Sequence, residues 1–250
     1  MRNLLIILLI VLPNINLHGQ DNFLIKYQSI KNSDLYIVGE DVLSFSTKDN
    51  VAVYYEGDNV FFDKRLSKDS VRFTSGDYYV TYFENNELYF RTDILDKQYK
   101  VKEEIPSFDW ELTNETKEKG NTTLYKAKVS FRGRNYTAWY NPEIPIKAGP
   151  WKFNGLPGLI YEIYDDAKIF NFSWYLTSLE ERDEIRLKSD LFKSIITIKE
   201  FTEELDNVYK NIKSTTDSRL PEYLTVVESK VTGANNYREK KREIKYEWEE

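Results

Sequence analysis

Residues 131–164, FRGRNYTAWYNPEIPIKAGPWKFNGLPGLIYEIY, decide how this chain folds. They hold four of the seven prolines and four of the ten glycines, with Trp139 and Trp151 inside the stretch and Trp174 just beyond it. Proline fixes φ, glycine permits backbone angles that other residues resist, and large rings pack with defined geometry. The stretch therefore predicts one rigid path rather than a flexible loop.

Short apolar runs separated by turn residues extend in both directions from this stretch. EGDN at 56–59 and ENNE at 84–87 lie between such runs, as hairpin turns do. Further on, Phe170, Phe172 and Trp174 recur at every second residue, which is the period of a strand. Aromatic residues make up 15% of the chain, which also favours strands. The predicted fold class is mainly β (α+β), with a curved antiparallel sheet that is either open or wrapped into an incomplete barrel.

Helical signals come late in the chain. Thr197-x-x-Glu200 fits a capping box, and the apolar stripe that follows predicts one amphipathic helix over residues 198–212, docked on the sheet. The polar stretch TNETKEKGNTT at 113–123 is interpreted as an exposed connection. The charge-dense YREKKREIKYEWEE at 237–250 is interpreted as a frayed helix or a charged tail.

The first residues are typical of an export signal. Arg2 precedes an unbroken apolar run at 4–12, and Gly19 is a small residue at a plausible cleavage point. The run is too short to cross a hydrocarbon layer of about 30 Å, so no stable membrane span is expected. We therefore predict a cleaved signal peptide at 1–19, a single β-rich domain at 20–236, and a location in the periplasm or cell envelope.

The composition excludes several classes of chemistry. The chain has no cysteine, and its single histidine and single methionine, His18 and Met1, lie in the predicted signal peptide. This excludes disulfides, thiol nucleophiles, histidine triads and the usual transition-metal ligands in the exported protein. A net charge of −6 argues against nucleic acid as a partner. No catalytic residue, metal site or cofactor is predicted.

The central stretch carries a family resemblance. Residues 155–160 read GLPGLI, and FRGR at 131–134, AWY at 138–140 and PEIPI at 142–146 stand in register with it. This block resembles the GLPGLI family of exported Bacteroidetes proteins, whose function is unassigned. The chain departs from the family in having Leu124 near a position where members often carry cysteine, and in its charged rather than Asn-Pro-rich ending.

A second, looser resemblance concerns the fold. A hairpin whose second strand carries Trp and Asn-Pro, followed by Leu-Pro and an apolar strand, is similar to the periplasmic lipoprotein carriers. In that architecture a curved antiparallel sheet forms an incomplete barrel around an apolar cavity. The resemblance implies a cavity, and it says little about the ligand.

Seven residues are candidates for a binding site: Arg132, Arg134, Trp139, Tyr140, Trp151, Glu162 and Trp174. The two arginines either grip an anion or lie in water at a hairpin tip, and alternation favours water. Glu162 is the one ionisable side chain with a carboxyl group in an apolar strand. It is either a buried acid with a raised pKa or an acid paired with Lys or Arg at an open face.

These observations predict a non-catalytic binding or accessory protein for a hydrophobic or aromatic-stacking small ligand. One alternative is a structural module that docks an envelope protein through strand edges or aromatic patches. The other is a carboxylate-dependent hydrolase, which needs two acids that face one cleft.

Overall fold

The computed structural model describes residues 22–32, 36–57, 59–62, 71–73, 76–167, 170–182, 194–217 and 237–249. The predicted signal peptide at 1–19 lies outside these residues, so its assignment stays a prediction.

Strands dominate the described part of the chain, joined by one α-helix and a 3-10 helix at Tyr237–Lys240. In chain order the elements are β1 (Asn22–Asn32), β2 (Tyr36–Ser46), β3 (Val51–Tyr55), β4 (Asn59–Phe62), β5 (Val71–Phe73), β6 (Tyr78–Tyr82), β7 (Glu87–Ile94), β8 (Lys97–Glu104), β9 (Glu111–Lys119), β10 (Thr122–Phe131), β11 (Arg134–Asn141), β12 (Leu159–Asp165), β13 (Asn171–Arg182), β14 (Ile195–Thr197) and α1 (Ile198–Asp217).

The described strands all belong to one sheet. Its main path runs β14-β8-β7-β6-β3-β2-β1-β13-β12-β11-β10-β9, and β4 and β5 branch from β2. Every pairing among these strands is antiparallel except that of β14 with β8. The terminal strands β14 and β9 do not pair with each other, so the sheet is not closed into a barrel. The predicted fold class, mainly β with an antiparallel sheet and one late helix, is confirmed.

The sheet curves until distant strands meet across its inner face. Arg132, in the turn between β10 and β11, lies 2.9 Å from Glu103 near the end of β8, although these strands are far apart in the sheet order. The same face carries one continuous core that includes Ile25, Phe90, Ile163 and Trp174. The interior of the protein is therefore the concave side of this sheet.

The polar stretch at 113–123 forms more regular structure than the sequence suggested. The interpretation as an exposed connection is wrong, because Glu111–Lys119 forms strand β9, which pairs with β10. The strand lies at the edge of the sheet with most of its residues exposed. Alternating Lys and Glu suit such an edge, since charges discourage further strand pairing.

The GLPGLI motif lies at the end of a kinked connection between β11 and β12. The N–H groups of Gly149, Gly155 and Leu159 donate to the carbonyls of Phe153, Lys147 and Ile144, at 2.8, 3.0 and 2.9 Å. This path places Trp151 and Phe153 in the core, where the Phe153 ring lies 5.7 Å from the ring of Trp174. We call the connection at residues 142–158 the joint; its Trp151 and Phe153 fill part of the concave side.

Helix α1 begins as its capping box predicts and ends later than expected. The N–H of Glu200 donates to Thr197 Oγ1 at 3.2 Å, and the N–H of Thr197 donates to the Glu200 carboxylate at 2.7 Å. The helix covers Ile198–Asp217 rather than 198–212. Its Phe201 ring packs on the rings of Phe90 and Tyr99 at 5.7 and 5.6 Å, which docks the helix on the sheet.

No helix in the described ranges combines the length and the apolar composition that crossing a membrane requires.

The joint generates a stability prediction. A Cβ at Gly158 would lie 2.1 Å from the Asn141 carbonyl oxygen, so Gly158→Ala should lower the free energy of unfolding by about 3 kcal/mol in urea titrations. Gly120→Ala is the matched control, because Gly120 has a positive φ but open space around it. This control should lose only about 1 kcal/mol. Equal losses in the two variants would contradict the role of the motif as a tight joint.

Candidate functional site

The charge-dense end of the chain packs against the sheet. We call residues 237–249 the strap. The N–H groups of Ile244 and Lys245 both donate to the carbonyl of Arg132, at 2.8 and 3.2 Å. Arg134 Nε donates to the Lys241 carbonyl at 2.7 Å, and the Tyr136 hydroxyl donates to the Arg242 carbonyl at 3.2 Å. The strap is therefore held by backbone contacts to the β10–β11 hairpin, and only its first four residues are helical.

The Arg242 side chain extends from the strap into the interior of the protein. Its guanidinium lies 5.5 to 5.7 Å from the ring centres of Trp151, Phe172 and Trp174, a geometry that suits cation–π attraction. It forms an ion pair with Glu56, which is also paired with Lys31. Burial alone would raise the pKa of Glu56, but Arg242 and Lys31 outweigh it and lower that pKa to about 2.

A second group of ion pairs surrounds Lys152. Its ammonium contacts Glu103 and lies 3.0 Å from Glu243 Oε1, and Arg132 contacts the same two acids. Burial acts to raise the pKa of Glu243, but Lys152 and Arg132 together lower it. Two cations and two carboxylates therefore hold the strap, the joint and strand β8 together.

Asp41 anchors a third, fully enclosed group. The Trp174 indole N–H lies 3.1 Å from Asp41 Oδ2 and 3.0 Å from the Tyr54 hydroxyl, which itself donates to Asp41. Burial, with a smaller effect of the Glu56 charge, raises the pKa of Asp41. This group fixes the Trp174 ring that Arg242 packs against.

A cavity of about 290 Å³ lies between the sheet, α1 and the strap. Its wall mixes rings with charged groups from distant parts of the chain. The rings come from Tyr79, Phe90, Trp151, Phe172, Phe201 and Tyr246. The acids in the wall are Glu56, Asp77, Asp93 and Glu243, and the cations are Lys31, Lys152, Arg238, Lys241 and Arg242.

Asp77 differs from the other interior acids of the wall. It directly precedes β6, and Gly76 lets it approach β3, because a Cβ at Gly76 would lie 1.4 Å from the Glu56 carbonyl oxygen. Its partners are hydroxyls: Tyr79 donates at 3.4 Å and Thr92 also forms a hydrogen bond. Burial and the nearby Glu56 charge raise the pKa of Asp77 to about 6, against the opposing effects of Arg242, Thr92 and Lys31.

The seven residues that the sequence predicted for a binding site lie on two different faces of the sheet. Arg132, Trp151 and Trp174 meet on the concave side, where they contact the groups around the cavity. Arg134 lies near them, 3.2 Å from Asp165 and with its guanidinium 4.9 Å from the Phe172 ring centre. The Tyr140 ring lies 6.2 Å from the ring of Tyr125 and outside the cavity wall.

The expectation that both arginines lie in water is wrong. The side chains of Arg132 and Arg134 are only 6% and 3% exposed. Strand alternation placed them on the polar side, but the strap covers the hairpin tip and supplies Glu243 and Glu247 to Arg132. Both arginines therefore form ion pairs with carboxylates of the same chain.

Trp139 and Glu162 lie opposite each other on the outer face of the sheet. They are register partners next to Ala138 and Ile163, whose side chains belong to the core. Glu162 is 14% exposed and forms ion pairs with Lys117 at 2.5 Å and Lys119 at 3.3 Å. Of the two alternatives for Glu162, the one in which it pairs with lysine agrees with these ion pairs. Glu162 does not belong to the cavity wall.

Sequence reasoning missed most of the charged groups around the cavity: Asp41, Glu56, Asp77, Glu103, Lys152, Arg242 and Glu243. Two of them carried a usable signal. Lys152 interrupts the aromatic stretch GPWKFNG, and Asp41 precedes the apolar run VLSF. Arg242 and Glu243 were hidden in a charge-dense run that reads as solvated surface.

Comparison with known proteins leaves the function open. The sequence model of a family described as a protein of unknown function (Porph_ging) matches residues 129–162, which form the β10 end, the hairpin, the joint and β12. No curated protein sequence matches the chain.

The chain has limited similarity to several solved structures. Two crystal structures of PNGF-II, in space groups C2 and P21, are each 15% identical to the chain, with TM-scores of 0.44 and 0.43. Both alignments cover 71% of this chain, which spans only about 30% of the length of PNGF-II. An uncharacterized conserved protein from Thermus thermophilus is 7% identical, with a TM-score of 0.35 and coverage of 71% of this chain and 91% of its own.

The raised pKa of Asp77 makes stability depend on pH. Because its pKa rises from 3.8 unfolded to about 6 folded, the folded state binds the proton more tightly, and ionisation lowers stability as pH rises between those values. Asp77→Asn should therefore raise the free energy of unfolding at pH 7.5 by about 1 to 3 kcal/mol in urea titrations.

The same substitution should change the free energy of unfolding little near pH 4, where Asp77 is protonated when folded. Asp93→Asn is the matched control, because Asp93 is exposed, and it should change the free energy of unfolding by less than about 0.5 kcal/mol. A loss of stability at pH 7.5, or an equal gain at both pH values, would show that Asp77 has no raised pKa.

Replacing Arg242 should lower stability, whereas replacing Asp77 should raise it. Arg242→Gln leaves Glu56 buried with Lys31 alone, so the free energy of unfolding should fall by about 3 to 5 kcal/mol at pH 7.5. Lys245→Gln, an exposed neighbour on the strap, should change it by less than about 0.5 kcal/mol. Urea titration of both variants measures the difference, and a similar result for the two would mean that the strap is not anchored through Arg242.

Proposed function

We propose that this chain is a non-catalytic binding protein that holds one small ligand in the cavity between the sheet, α1 and the strap. The observation that carries the proposal is the cavity of about 290 Å³, which is lined by six aromatic side chains and by fixed charges. Ligand sites are commonly pre-formed concavities in which apolar rings surround a few placed polar groups. The volume suits a small molecule with an aromatic or similarly flat part.

The charges of the wall favour such a ligand over a purely aliphatic one. A long acyl chain would leave Lys31, Arg242 and Lys152 beside hydrocarbon, which is unfavourable for charged groups even when they are paired. The rings of Tyr79 and Phe90, whose centres lie 5.4 Å apart, offer a stacked surface instead. We therefore propose an aromatic-stacking ligand, one of the two classes that the sequence predicts, rather than an aliphatic one.

The state of the carboxylates supports binding rather than hydrolysis. A carboxylate hydrolase needs two acids that are free to exchange protons or attack a substrate. Both carboxylate oxygens of Glu56 and both of Glu243 are engaged by lysine or arginine, which removes these two of the four wall acids from such roles.

Partner docking through strand edges is the weaker alternative. The described edge strand β9 is exposed and carries alternating lysine and glutamate, a composition that hinders strand addition. The aromatic side chains of the concave face are mostly buried against one another and against the strap.

The compartment and the family are part of the proposal. The N-terminal apolar run supports export to the periplasm or cell envelope, and GLPGLI with its flanking motifs supports membership of the GLPGLI family. The match of residues 129–162 to a family of unknown function agrees with this membership.

The test is mass spectrometry of small molecules extracted from natively purified mature protein. We expect one compound in an amount comparable to the protein. Leu205→Trp, which places an indole in the cavity wall from α1, should reduce that compound at least tenfold. Lys210→Trp adds the same group at an exposed helix position and should leave the amount unchanged. Equal amounts in both variants would contradict a ligand in this cavity, and so would the absence of any extracted compound together with a failure to bind added small molecules.

A further inference from the structure

Asp77 differs from the other acids of the cavity wall in its hydrogen-bond and ion-pair partners. Glu56 is paired with Lys31 and Arg242, and Glu243 is paired with Arg132 and Lys152. Asp93 is exposed and accepts a hydrogen bond from Gln98 at 3.3 Å. For Asp77, the described part of the chain supplies hydroxyl partners and no lysine or arginine ion pair.

The cations nearest to Asp77 are already committed. Lys31 and Arg242 attract it from a distance, but each contacts the carboxylate of Glu56. The charged and titratable groups that act on Asp77 are therefore Glu56, Lys31, Arg242 and the Tyr79 hydroxyl, with Thr92 as a neutral hydrogen-bond donor. A carboxylate in this position is left without a direct counter-charge.

The rings beside Asp77 suit the apolar part of a cationic ligand. Tyr79 follows Asp77 by two residues on β6, and its ring stacks on Phe90 of β7. Both rings and Asp77 belong to the wall of the same cavity. A protonated amine near such rings gains cation–π attraction in addition to its ion pair with a carboxylate.

We infer that the ligand of this cavity is a small amine, whose ammonium group pairs with Asp77 and whose apolar part packs against Tyr79 and Phe90. The inference rests on the binding function proposed above and names the chemical class of its ligand. An anion is disfavoured, because four of the five cations of the wall, Lys31, Lys152, Arg238 and Arg242, already have carboxylate partners. A neutral ligand would cover the partly buried Asp77 carboxylate without offering it a counter-charge at neutral pH.

The stability of the protein without ligand fits this assignment. The pKa of Asp77, raised to about 6, means that its ionised form is unfavourable in the folded protein at pH 7.5. An acid that destabilises the fold when the cavity lacks a counter-charge is typical of a group retained for binding. Binding of an ammonium group would offset this effect.

Calorimetry with three matched probes tests the inference. The probes are 2-phenylethylammonium, 2-phenylethanol and 3-phenylpropionate, titrated into the mature protein at pH 7.5. We expect the amine to bind at least tenfold more tightly than the alcohol or the acid. Asp77→Asn, which keeps the size of the side chain, should remove this preference while its cooperative unfolding in urea persists.

The wild-type pH profile gives a second measurement that needs no variant. Because a proton on Asp77 competes with the ammonium group, affinity for the amine should fall below pH 6, approaching tenfold per pH unit. An affinity that stays constant from pH 7.5 to pH 5 would overturn the role of Asp77. Equal binding of the alcohol or the acid in the wild-type protein would overturn the amine class and leave the binding function standing.

The compound extracted from natively purified protein separates the remaining outcomes. If it contains a basic nitrogen, the inference is supported even when the three probes bind weakly. If it lacks one, the amine class is wrong and the cavity still binds a ligand. If neither a probe nor an extracted compound binds, the binding function itself fails.

Discussion

The ion pair between Arg242 and Glu56 is the interaction on which the interior depends. It joins the strap to the end of β3, and it places a guanidinium among the rings of Trp151, Phe172 and Trp174. A buried charge of this kind is tolerated only when a partner of opposite charge and suitable rings surround it. Once Arg242 is in place, the strap, the joint and the sheet must meet at fixed positions, and the cavity is the space they leave.

The division of charge within that interior gives the cavity its chemical character. Glu56, Glu103 and Glu243 hold the parts of the fold together, since each is ion-paired with two cations. Asp41 is enclosed with Tyr54 and Trp174 and has no surface toward the cavity. Among the described residues Asp77 has no such ion pair, and it lies in the cavity wall, where its charge faces the proposed ligand. The strap thus organises the charged groups of the cavity wall, although it was the least informative part of the sequence.

The fold was predictable wherever local pattern determines structure. Alternation predicted the strands, and the capping box at Thr197 and Glu200 predicted the start of α1. The glycines and prolines of the joint predicted a rigid path, and at Gly158 the chain passes so close to the Asn141 carbonyl that a Cβ would clash with it. The edge strand β9 was not predictable in this way, because its polar residues have no buried face and its pairing with β10 is decided by the adjoining hairpin.

Most of the site was not predictable from the sequence, because Lys31, Glu56 and Arg242 lie far apart along the chain and no short window contains their pairing. Trp151 and Trp174 could be proposed because large rings near a fixed joint must pack, whereas Glu162 lies on the outer face with lysines.

The central claim is that Asp77 is a partly buried carboxyl group of the cavity wall that has no lysine or arginine ion pair among the described residues. Carbon-13 NMR of the Asp77 side-chain carboxyl, followed between pH 3 and pH 8 in ligand-free mature protein, tests it most directly. The account predicts a titration near pH 6, because burial and the Glu56 charge outweigh Arg242 and Lys31. A titration near the ordinary value of 3.8 or below would contradict it, since such a value requires a direct cationic partner or free access to water.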